Sequence, residues 1–198
     1  MESRQGIGTF VTENRRLQRE SRKRYGRARA DRQLLTSHLQ HEIISAGRET
    51  VPGYISDTAA FGENELVIVR RRLLRDKKTN RPAELGASYL PASITEGTYL
   101  ESTDVVPKAL FLCVEELSGD KYTRATDQWV VRVATSNESD LLELPNMAHV
   151  IHLIHVAYGK NGDVLEVSES IWPADRVMFV DEYEIPQEPE ALADPSEV

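Results

Sequence analysis

Three consecutive arginines, Arg70, Arg71 and Arg72, are the strongest candidate for binding chemistry in the sequence. They lie in a run of β-branched and long residues, 65–74, that predicts a strand. Side chains alternate between the two faces of a strand, so Arg70 and Arg72 share one face and Arg71 points to the other. Two guanidinium groups on one face form a bidentate site for a carboxylate or a phosphate. Alternatively, the three arginines lie on an exposed face or at a sheet edge, where they would prevent pairing with another strand.

A second polar set lies near the end of the chain, in the predicted strand 164–172. Period two places Glu166, Ser168, Ser170 and Trp172 on one face of this strand. A carboxylate, two hydroxyl groups and an aromatic edge suit the wall of a pocket for a polar small molecule. An outward-facing polar surface fits the same pattern, so both interpretations stay open.

The five histidines do not predict a metal site. In the strand-like run that holds His149, His152 and His155, the middle residue faces away from the other two, which would be about 20 Å apart. His38 and His41 could meet on a helix, but no third ligand accompanies them. The sequence also has no nucleophile elbow, P-loop, dinucleotide fingerprint or CxxC pair. No metal, no cofactor and no enzyme activity is therefore predicted.

The charge of the chain is divided unequally. The 198 residues carry a net charge of −8, with 24 Lys and Arg against 32 Asp and Glu. Residues 1–33 hold ten of the basic and four of the acidic residues, a balance of +6, which leaves −14 for residues 34–198. Such asymmetry is typical of a basic arm that contacts an anion. The single cysteine, Cys113, is predicted to be a buried core residue.

Apolar runs in the sequence fall short of the ~20 residues that a membrane-spanning helix needs. No charged segment followed by an apolar one opens the chain, so no signal peptide is predicted. A single cysteine gives no indication of an oxidising compartment. Together these features predict a cytoplasmic protein without a membrane partner.

The elements that must position the candidate residues mix helices with antiparallel hairpins. Leu35, Leu39 and Ile43 predict a helix by their spacing of four, with Gly47 at its end. The first predicted elements are a helix over 33–46, strands 65–74 and 81–90 around the loop 75–80, and a helix over 107–117 stopped by Gly119. They are followed by a strand over 128–135, a helix to residue 144 that begins in a capping box at 135–138, strands 149–159 and 164–172 joined at 161–162, and a strand within 176–185. This order predicts an α+β fold with helices on one side of an antiparallel sheet.

The two ends of the chain differ from this body. Residues 6–11 predict a turn into a short strand that has no partner nearby. Residues 12–33 are polar on all sides, so they predict either a solvated linker or a segment that contacts phosphates. Residues 186–198 are acidic and contain prolines, which predicts a disordered tail.

The motifs resemble those of GntR-type winged-helix repressors. Residues 6–11 resemble the end of the wing in these proteins, and residues 34–185 resemble the effector domain of the HutC subfamily, the UTRA domain. Each motif is weak alone, but their order and spacing make the match specific. The supporting motifs are residues 69–72, 81–82, 88–91, 97–98, 129–135, 142–145, 158, 161–162, 164–166, 170 and 175–176.

The resemblance implies a domain architecture and a function. Residues 1–11 would be the remnant of a wing, 12–33 a basic linker, 34–185 the effector-binding and dimerisation domain, and 186–198 the tail. The implied fold is that of chorismate lyase, mainly an antiparallel sheet with packed helices, in a homodimer. The implied function is to bind a small anionic metabolite that modulates DNA binding. DNA would be bound only through a winged-helix module that is expected to be mostly absent from this chain.

The resemblance also implies a set of ligand-binding residues. The two arginines would bind the anionic group, a carboxylate and an aromatic of the last hairpin would contact the effector, and hydroxyl groups would complete the site. This set is Arg70, Arg72, Ser88, Thr126, Glu166, Ser170 and Trp172. Gly86 stands where some members carry a glutamate that contacts amino sugars, so an amino-sugar phosphate is not expected.

Two other functions remain as alternatives. A chorismate lyase-like enzyme could share the fold, but no acid, base and oxyanion site can be assembled from these residues. A truncated partner that dimerises with a full-length regulator would have the same sequence features as the sensor.

Overall fold

The computed structural model describes residues 2–4, 8–10, 17–19, 25–26, 29, 36, 39–59, 61–62, 64–106 and 108–184. The described helices are α1 (Gly53–Ala59), α2 (Ala92–Thr95), α3 (Leu110–Ser118) and α4 (Ser136–Leu142), with a 3-10 helix at Tyr99–Glu101. The described strands are β1 (Glu2–Arg4), β2 (Gly8–Phe10), β3 (Leu17–Arg19), β4 (Leu39–Thr50), β5 (Leu66–Asp76), β6 (Pro82–Pro91), β7 (Arg124–Val133), β8 (His149–Tyr158), β9 (Val164–Pro173) and β10 (Val177–Phe179).

A six-stranded antiparallel sheet, in the order β4-β5-β6-β9-β8-β7, is the centre of the described structure. Two three-stranded meanders, β4-β5-β6 and β7-β8-β9, join through the pairing of β6 with β9. Outside this sheet, β1 pairs with β2, and β10 pairs in parallel with β3. The predicted α+β class with a mainly antiparallel sheet is confirmed.

Helices cover both faces of the sheet. On the first, called face A, Ile68 and Leu90 pack with α3 and the 3-10 helix. On the other, called face B, Val67 and Tyr89 pack with Ile55 of α1, while α4 covers the far end. The expectation of helices on one side is therefore wrong. Because β5 and β6 lie inside the sheet and carry apolar residues at both parities, both of their faces need a cover.

The segment predicted as a helix over 33–46 forms β4 instead, in the part that the structure describes. A spacing of four, as between Leu39 and Ile43, fits two periods of a strand as well as one helical turn. The long partner strand β5 decides between them, since it pairs with β4 over its whole length. A register shift lies between Ile43 and Ser45, and Gly47 continues the strand opposite Val69 rather than ending a helix. Residues 33–35, 37 and 38 lie outside the described residues.

Local turn and cap signals are confirmed. Gly119 ends α3 in the left-handed conformation, with φ of 73°, which glycine adopts without steric cost. Thr135 and Glu138 form the predicted capping box at the start of α4. Gly162, with φ of 89°, lies in the turn between β8 and β9. The strand expected within 176–185 is limited to the three residues of β10, and α1 and α2 were not predicted.

The N-terminal strand has a partner, contrary to expectation. β2 pairs antiparallel with β1, with Glu2 opposite Phe10 and Arg4 opposite Gly8. The two strands are close in sequence, so their pairing needs no distant segment. The tail at 186–198 and most of the linker at 12–33 lie outside the described residues. Within the described residues, no helix is long and apolar enough to cross a membrane.

Candidate functional site

A row of paired residues crosses the whole sheet on face A, and we call it the polar row. Residues that are directly opposite in neighbouring strands point to the same face. From β4 to β7 the paired residues of the row are Ala46, Arg70, Ser88, Ser168, His155 and Asp127. All of them except the first and last are buried. The sheet therefore places an almost continuous line of polar side chains beneath the elements that cover face A.

Arg72 lies beside the polar row and extends across β6. Its Nη1 atom donates a hydrogen bond to Ser88 Oγ at 3.1 Å. Gly86, its pairing partner, favours this position, because a Cβ atom there would lie 3.1 Å from Arg72 Cζ and 3.2 Å from Glu169 O and would require a small shift. The Arg72 side chain is 18% exposed. Its guanidinium is thus held over the sheet and still reaches solvent.

Glu84, which the sequence analysis did not single out, organises the site residues of β9. Its Oε1 accepts a hydrogen bond from Ser170 Oγ at 2.9 Å, and its Oε2 accepts one from Trp172 Nε1 at 2.9 Å. Arg72 Nη2 lies 3.8 Å from Glu84 Oε1 and compensates the buried charge. Period two over β6 places Glu84 on the same face as Ser88, and this signal could have identified it.

Arg70 makes contacts that differ from those of Arg72. Its guanidinium donates to the carbonyl oxygens of Leu100 at 2.6 Å, Ser102 at 2.5 Å and Asp104 at 2.8 Å. Burial and the neighbouring charge of Arg72 lower the pKa of Arg70. Arg70 therefore fastens the segment that follows the 3-10 helix onto the sheet.

Glu166 and Trp172 lie at opposite ends of the site. Tyr122 donates its hydroxyl hydrogen to Glu166 Oε2 at 3.0 Å, next to α3. Trp172 stacks on Trp129 with 6.2 Å between ring centroids and contacts the edge of Phe179 in β10. The last hairpin thus contributes an acidic end and an aromatic end.

Six of the seven residues expected in the site lie on face A, and Thr126 is the exception. Thr126 pairs with Val156, which packs in the core of face B. The next residue, Asp127, faces the polar row instead. A shift of one position along a strand exchanges its two faces, so an inexact motif match is enough to produce this difference.

The linker residue Tyr25 covers the polar row at His155. Its hydroxyl group hydrogen-bonds His155 Nε2, and its ring packs against Phe111 with a centroid distance of 5.0 Å and perpendicular planes. His155 Nδ1 lies 2.5 Å from Asp127 Oδ1. Because a carboxylate can only accept, Nδ1 donates to Asp127, and in the neutral imidazole Nε2 is then the acceptor for the Tyr25 hydroxyl.

Arg29, four residues after Tyr25, attaches the linker to α3. Its Nη1 and Nη2 atoms donate to the two carboxylate oxygens of Glu115 at 3.0 and 2.5 Å. Burial raises the pKa of Glu115, but hydrogen bonds from Arg29, Tyr122 N and Lys121 outweigh it, so its pKa lies below the ordinary value. The linker is thereby held at two points against the cover of face A.

Ser168 occupies the middle of the polar row and differs from its neighbours. It is 1% exposed, and its Oγ atom has no hydrogen-bond partner among the described residues. Its row neighbours are Ser88 on β6 and His155 on β8. Buried hydroxyl groups are almost always paired, so this one indicates a position for an external polar group.

The histidines of β8 are arranged as expected. His155 faces the polar row, whereas His152 points to face B, where its Nε2 lies 2.8 Å from Glu169 Oε1. Among the described residues, no three His, Cys, Asp or Glu side chains are grouped so that they could hold a metal ion. The arrangement on face A offers a guanidinium, hydroxyl groups and carboxylates, which are groups for binding a polar ligand.

Comparisons with known proteins identify the fold. PhnF from Mycobacterium smegmatis is similar with a TM-score of 0.67 at 18% sequence identity, over 93% of this chain and 78% of that chain. The C-terminal domain of YurK from Bacillus subtilis subsp. subtilis str. 168 gives 0.63 at 17% identity, over 72% and 96%. A GntR-family transcriptional regulator from Bacillus cereus gives 0.62 at 17% identity, over 76% and 100%. The search of curated proteins finds no match.

The sequence profile of the UTRA domain matches residues 36–178, which is most of the chain. This match confirms the resemblance found in the motifs, while the HutC subfamily stays a prediction. The solved structures agree with it, since effector domains of GntR-family regulators have the same fold. The chain belongs to the UTRA domain family.

Proposed function

We propose that this domain senses a small anionic metabolite and thereby modulates DNA binding by a GntR-type regulator of the HutC subfamily. The single observation that carries the proposal is the buried hydroxyl of Ser168 in the polar row, which has no hydrogen-bond partner among the described residues and lies on the same face of the sheet as Arg72. A ligand whose anionic group binds Arg72 would also bring a hydrogen-bond acceptor to the Ser168 hydroxyl.

The dimensions of face A fit a ligand of metabolite size. Neighbouring strands are ~4.8 Å apart and Ser168 is two residues away from the register position of Arg72, so Arg72 on β5 and Ser168 on β9 are separated by about 12 Å at the backbone. The Arg72 side chain extends over Gly86 toward β9. This reduces the distance between its guanidinium and Ser168 that a ligand must span. Glu166 lies beyond Ser168 on the same strand and suits a hydroxyl or amino group of the ligand.

Arg72 is a better candidate for the anion than Arg70. The three carbonyl contacts of Arg70 are structural, and the side chain is almost completely buried. Arg72 contacts Ser88, remains partly exposed and lies over the residue without a side chain. We therefore assign the direct anion contact to Arg72 and the support of the neighbouring segment to Arg70.

The contact of Tyr25 with His155 offers a route from the ligand to the linker. A ligand that donates a hydrogen bond to His155 Nε2 competes with the Tyr25 hydroxyl for the same acceptor. Binding would then favour the state in which the linker is released from face A. This is a population shift, and its size is set by the difference in ligand affinity between the docked and released states.

The proposal includes a cytoplasmic homodimer that contacts DNA through a winged-helix module. It assigns no catalytic role, because no acid, base and oxyanion site can be assembled from these residues. The enzyme alternative has no observation in its favour.

A ligand screen with paired arginine variants tests the proposal. Phosphate esters, phosphonates and carboxylates are titrated into the full chain while its melting temperature is followed. We expect at least one class to raise the melting temperature, and Arg72→Ala to remove the rise, because the anion loses its guanidinium.

Arg71→Ala is the matched control, since Arg71 lies on the same strand but on face B, where it pairs with Glu49 at 2.5 Å. It should respond to the ligand as the parent does. An equal response of the parent and Arg72→Ala would overturn the assignment of the anion site. A parent that responds to none of the three classes would overturn an anionic effector.

A further inference from the structure

The two edges of the central sheet are built differently. At one edge, β4 has a register shift between Ile43 and Ser45, and its charged residues pair with neighbours, as in the Glu49–Arg71 ion pair. Irregularity and charge are the usual means by which an edge strand avoids pairing with another chain. At the other edge, β7 pairs with β8 over ten consecutive residues without a register shift. This edge has the regular geometry that a further strand needs.

The side chains of β7 are exposed although many of them are apolar. Val130 is 54% exposed and Val131 is 64% exposed, while Trp129 and Val133 are also classed as exposed. The two central valines point to opposite faces, because alternate residues of a strand do so. Among the described residues no strand pairs with the outer edge of β7. Its apolar side chains lie on both faces of the sheet beside this edge, so a single packed helix could not cover them.

The backbone of β7 also directs N–H and C=O groups away from β8, toward the outer edge of the sheet. Ala134 N donates to Ala148 O, so this pair is hydrogen-bonded across the ladder with β8. Hydrogen-bonded and non-bonded pairs alternate in an antiparallel ladder. The N–H and C=O groups of Trp129, Val131 and Val133 are therefore directed away from β8, toward the open edge.

The sequence of β7 is compatible with itself across a two-fold axis. With Val130 on the axis, Trp129 lies opposite Val131 of the second copy and Arg132 lies opposite its Gln128. No like charges meet in this register. With Gln128 on the axis, Arg124 would face Arg132 of the second copy, and like charges directly opposite each other are unfavourable.

From these observations we infer that β7 pairs antiparallel with β7 of a second copy of this chain, about a two-fold axis at Val130. The inference rests on the homodimer in the proposed function and names its surface. The two six-stranded sheets become one continuous sheet, and Asp127 at the end of the polar row lies within the interface. Ligand site and dimer contact then share one strand.

Light scattering coupled to size-exclusion chromatography, with the full chain and no ligand, tests this surface. We expect the parent to have twice the 22.4 kDa mass of the chain, and Val131→Lys to have the mass of a monomer. Ile44→Lys is the matched control, because Ile44 is an exposed apolar residue on β4, and it should remain dimeric. Circular dichroism of each variant checks that the sheet is intact.

A crosslinking experiment tests the register independently of any destabilised variant. Val130→Cys should form a covalent dimer on mild oxidation, because residues facing each other across a non-bonded pair have Cα atoms about 4.5 Å apart, within the range of a disulfide. Cys113 is fully buried and should not react. Ile44→Cys should give no comparable crosslink.

The outcomes separate this surface from the proposed function. A dimeric parent whose mass does not change with Val131→Lys, or Val130→Cys that crosslinks no faster than Ile44→Cys, would overturn the β7 surface and leave the homodimer. A parent that is monomeric up to hundred-micromolar concentration would overturn both the surface and the homodimer. Neither result depends on ligand binding, which is measured separately through Arg72.

Discussion

Both faces of the central sheet bury polar side chains beneath a tyrosine, but the two clusters are built around different groups. On face B the Glu169 carboxylate is central: its Oε2 accepts from Tyr54 at 3.1 Å and from Tyr89 at 3.2 Å. Its Oε1 lies 2.8 Å from His152 Nε2, which has no hydrogen-bond partner among the described residues. On face A, Tyr25 covers His155, and the neighbouring hydroxyl of Ser168 has no hydrogen-bond partner among the described residues. The atom without a hydrogen bond therefore lies beside a carboxylate on face B and in a row of hydroxyl groups on face A.

The covers of the two faces also differ in origin. Tyr54 belongs to α1, which follows β4 after two residues and is part of the domain body. Burial and the nearby Glu169 charge raise the pKa of Tyr54, and they raise that of Tyr89 further. Tyr25 comes from the linker and is held on face A by its contacts with His155 and Phe111. We therefore expect the cluster on face B to contribute to stability and the cluster on face A to take part in the proposed response to a ligand.

The largest effect is expected from Glu169→Ala on face B. The variant leaves two phenol groups without their shared acceptor and opens a small cavity, so the free energy of unfolding should fall by about 3 kcal/mol. Urea denaturation measures this loss. Glu143→Ala, at an exposed carboxylate that pairs with Arg75, should lose less than about 1 kcal/mol. If the two variants were equally stable, face B would not be the structural cluster.

An intermediate, pH-dependent effect is expected from Glu115, which holds the linker on face A. A carboxyl group whose pKa is lowered by folding stabilises the fold above its unfolded value of 4.5 and loses this contribution as the pH falls through the folded value. Glu115→Gln should therefore destabilise the chain by about 1–2 kcal/mol at pH 7, and the difference from the parent should shrink below pH 4.5.

Denaturation of both proteins between pH 7 and pH 3 measures this trend. Glu116→Gln is the control, because the next carboxylate on α3 is mostly exposed and pairs only with Lys108 among the contacts described. Its difference from the parent should be small at every pH. A Glu115→Gln difference that stays constant with pH would show that the linker is not held by this charge.

The smallest effect on stability is expected from Ser168→Ala. The Ser168 hydroxyl has no hydrogen-bond partner among the described residues, so its removal breaks no hydrogen bond with them. The free energy of unfolding should therefore change by less than about 0.5 kcal/mol. Ser170→Ala should lose about 1 kcal/mol more, since it removes a donor to the buried Glu84 carboxylate. Ser168→Ala should nevertheless weaken the thermal response to the ligand, and an unchanged response would remove Ser168 from the site.

Patterns within single elements were sufficient to predict much of the fold. Runs of β-branched and long residues next to turn signals identified β5, β6, β8 and β9, and the capping box at Thr135 located α4. Period two then placed Arg70 and Arg72 on one face. The helix expected over 33–46 failed because a spacing of four between apolar residues suits both a helix and a strand, and only the pairing with β5 separates them.

The relationships between elements could not be predicted. No local signal shows that Arg70 would meet the carbonyl groups of residues 100, 102 and 104, because those contacts arise from a segment thirty residues later. Glu84 was overlooked because its partners, Ser170 and Trp172, lie on a strand that is distant in sequence. Thr126 was placed on the wrong side of β7 for the site by a single position.

Gly86 leaves room for the guanidinium of Arg72 in the middle of the sheet. A Cβ atom at this position would lie 3.1 Å from Arg72 Cζ, closer than ordinary van der Waals contact, so any larger residue would shift the end of the arginine side chain by a few tenths of an ångström. If Arg72 binds the anion as proposed, a substitution at position 86 would move the cation relative to the ligand and change recognition without a change of fold.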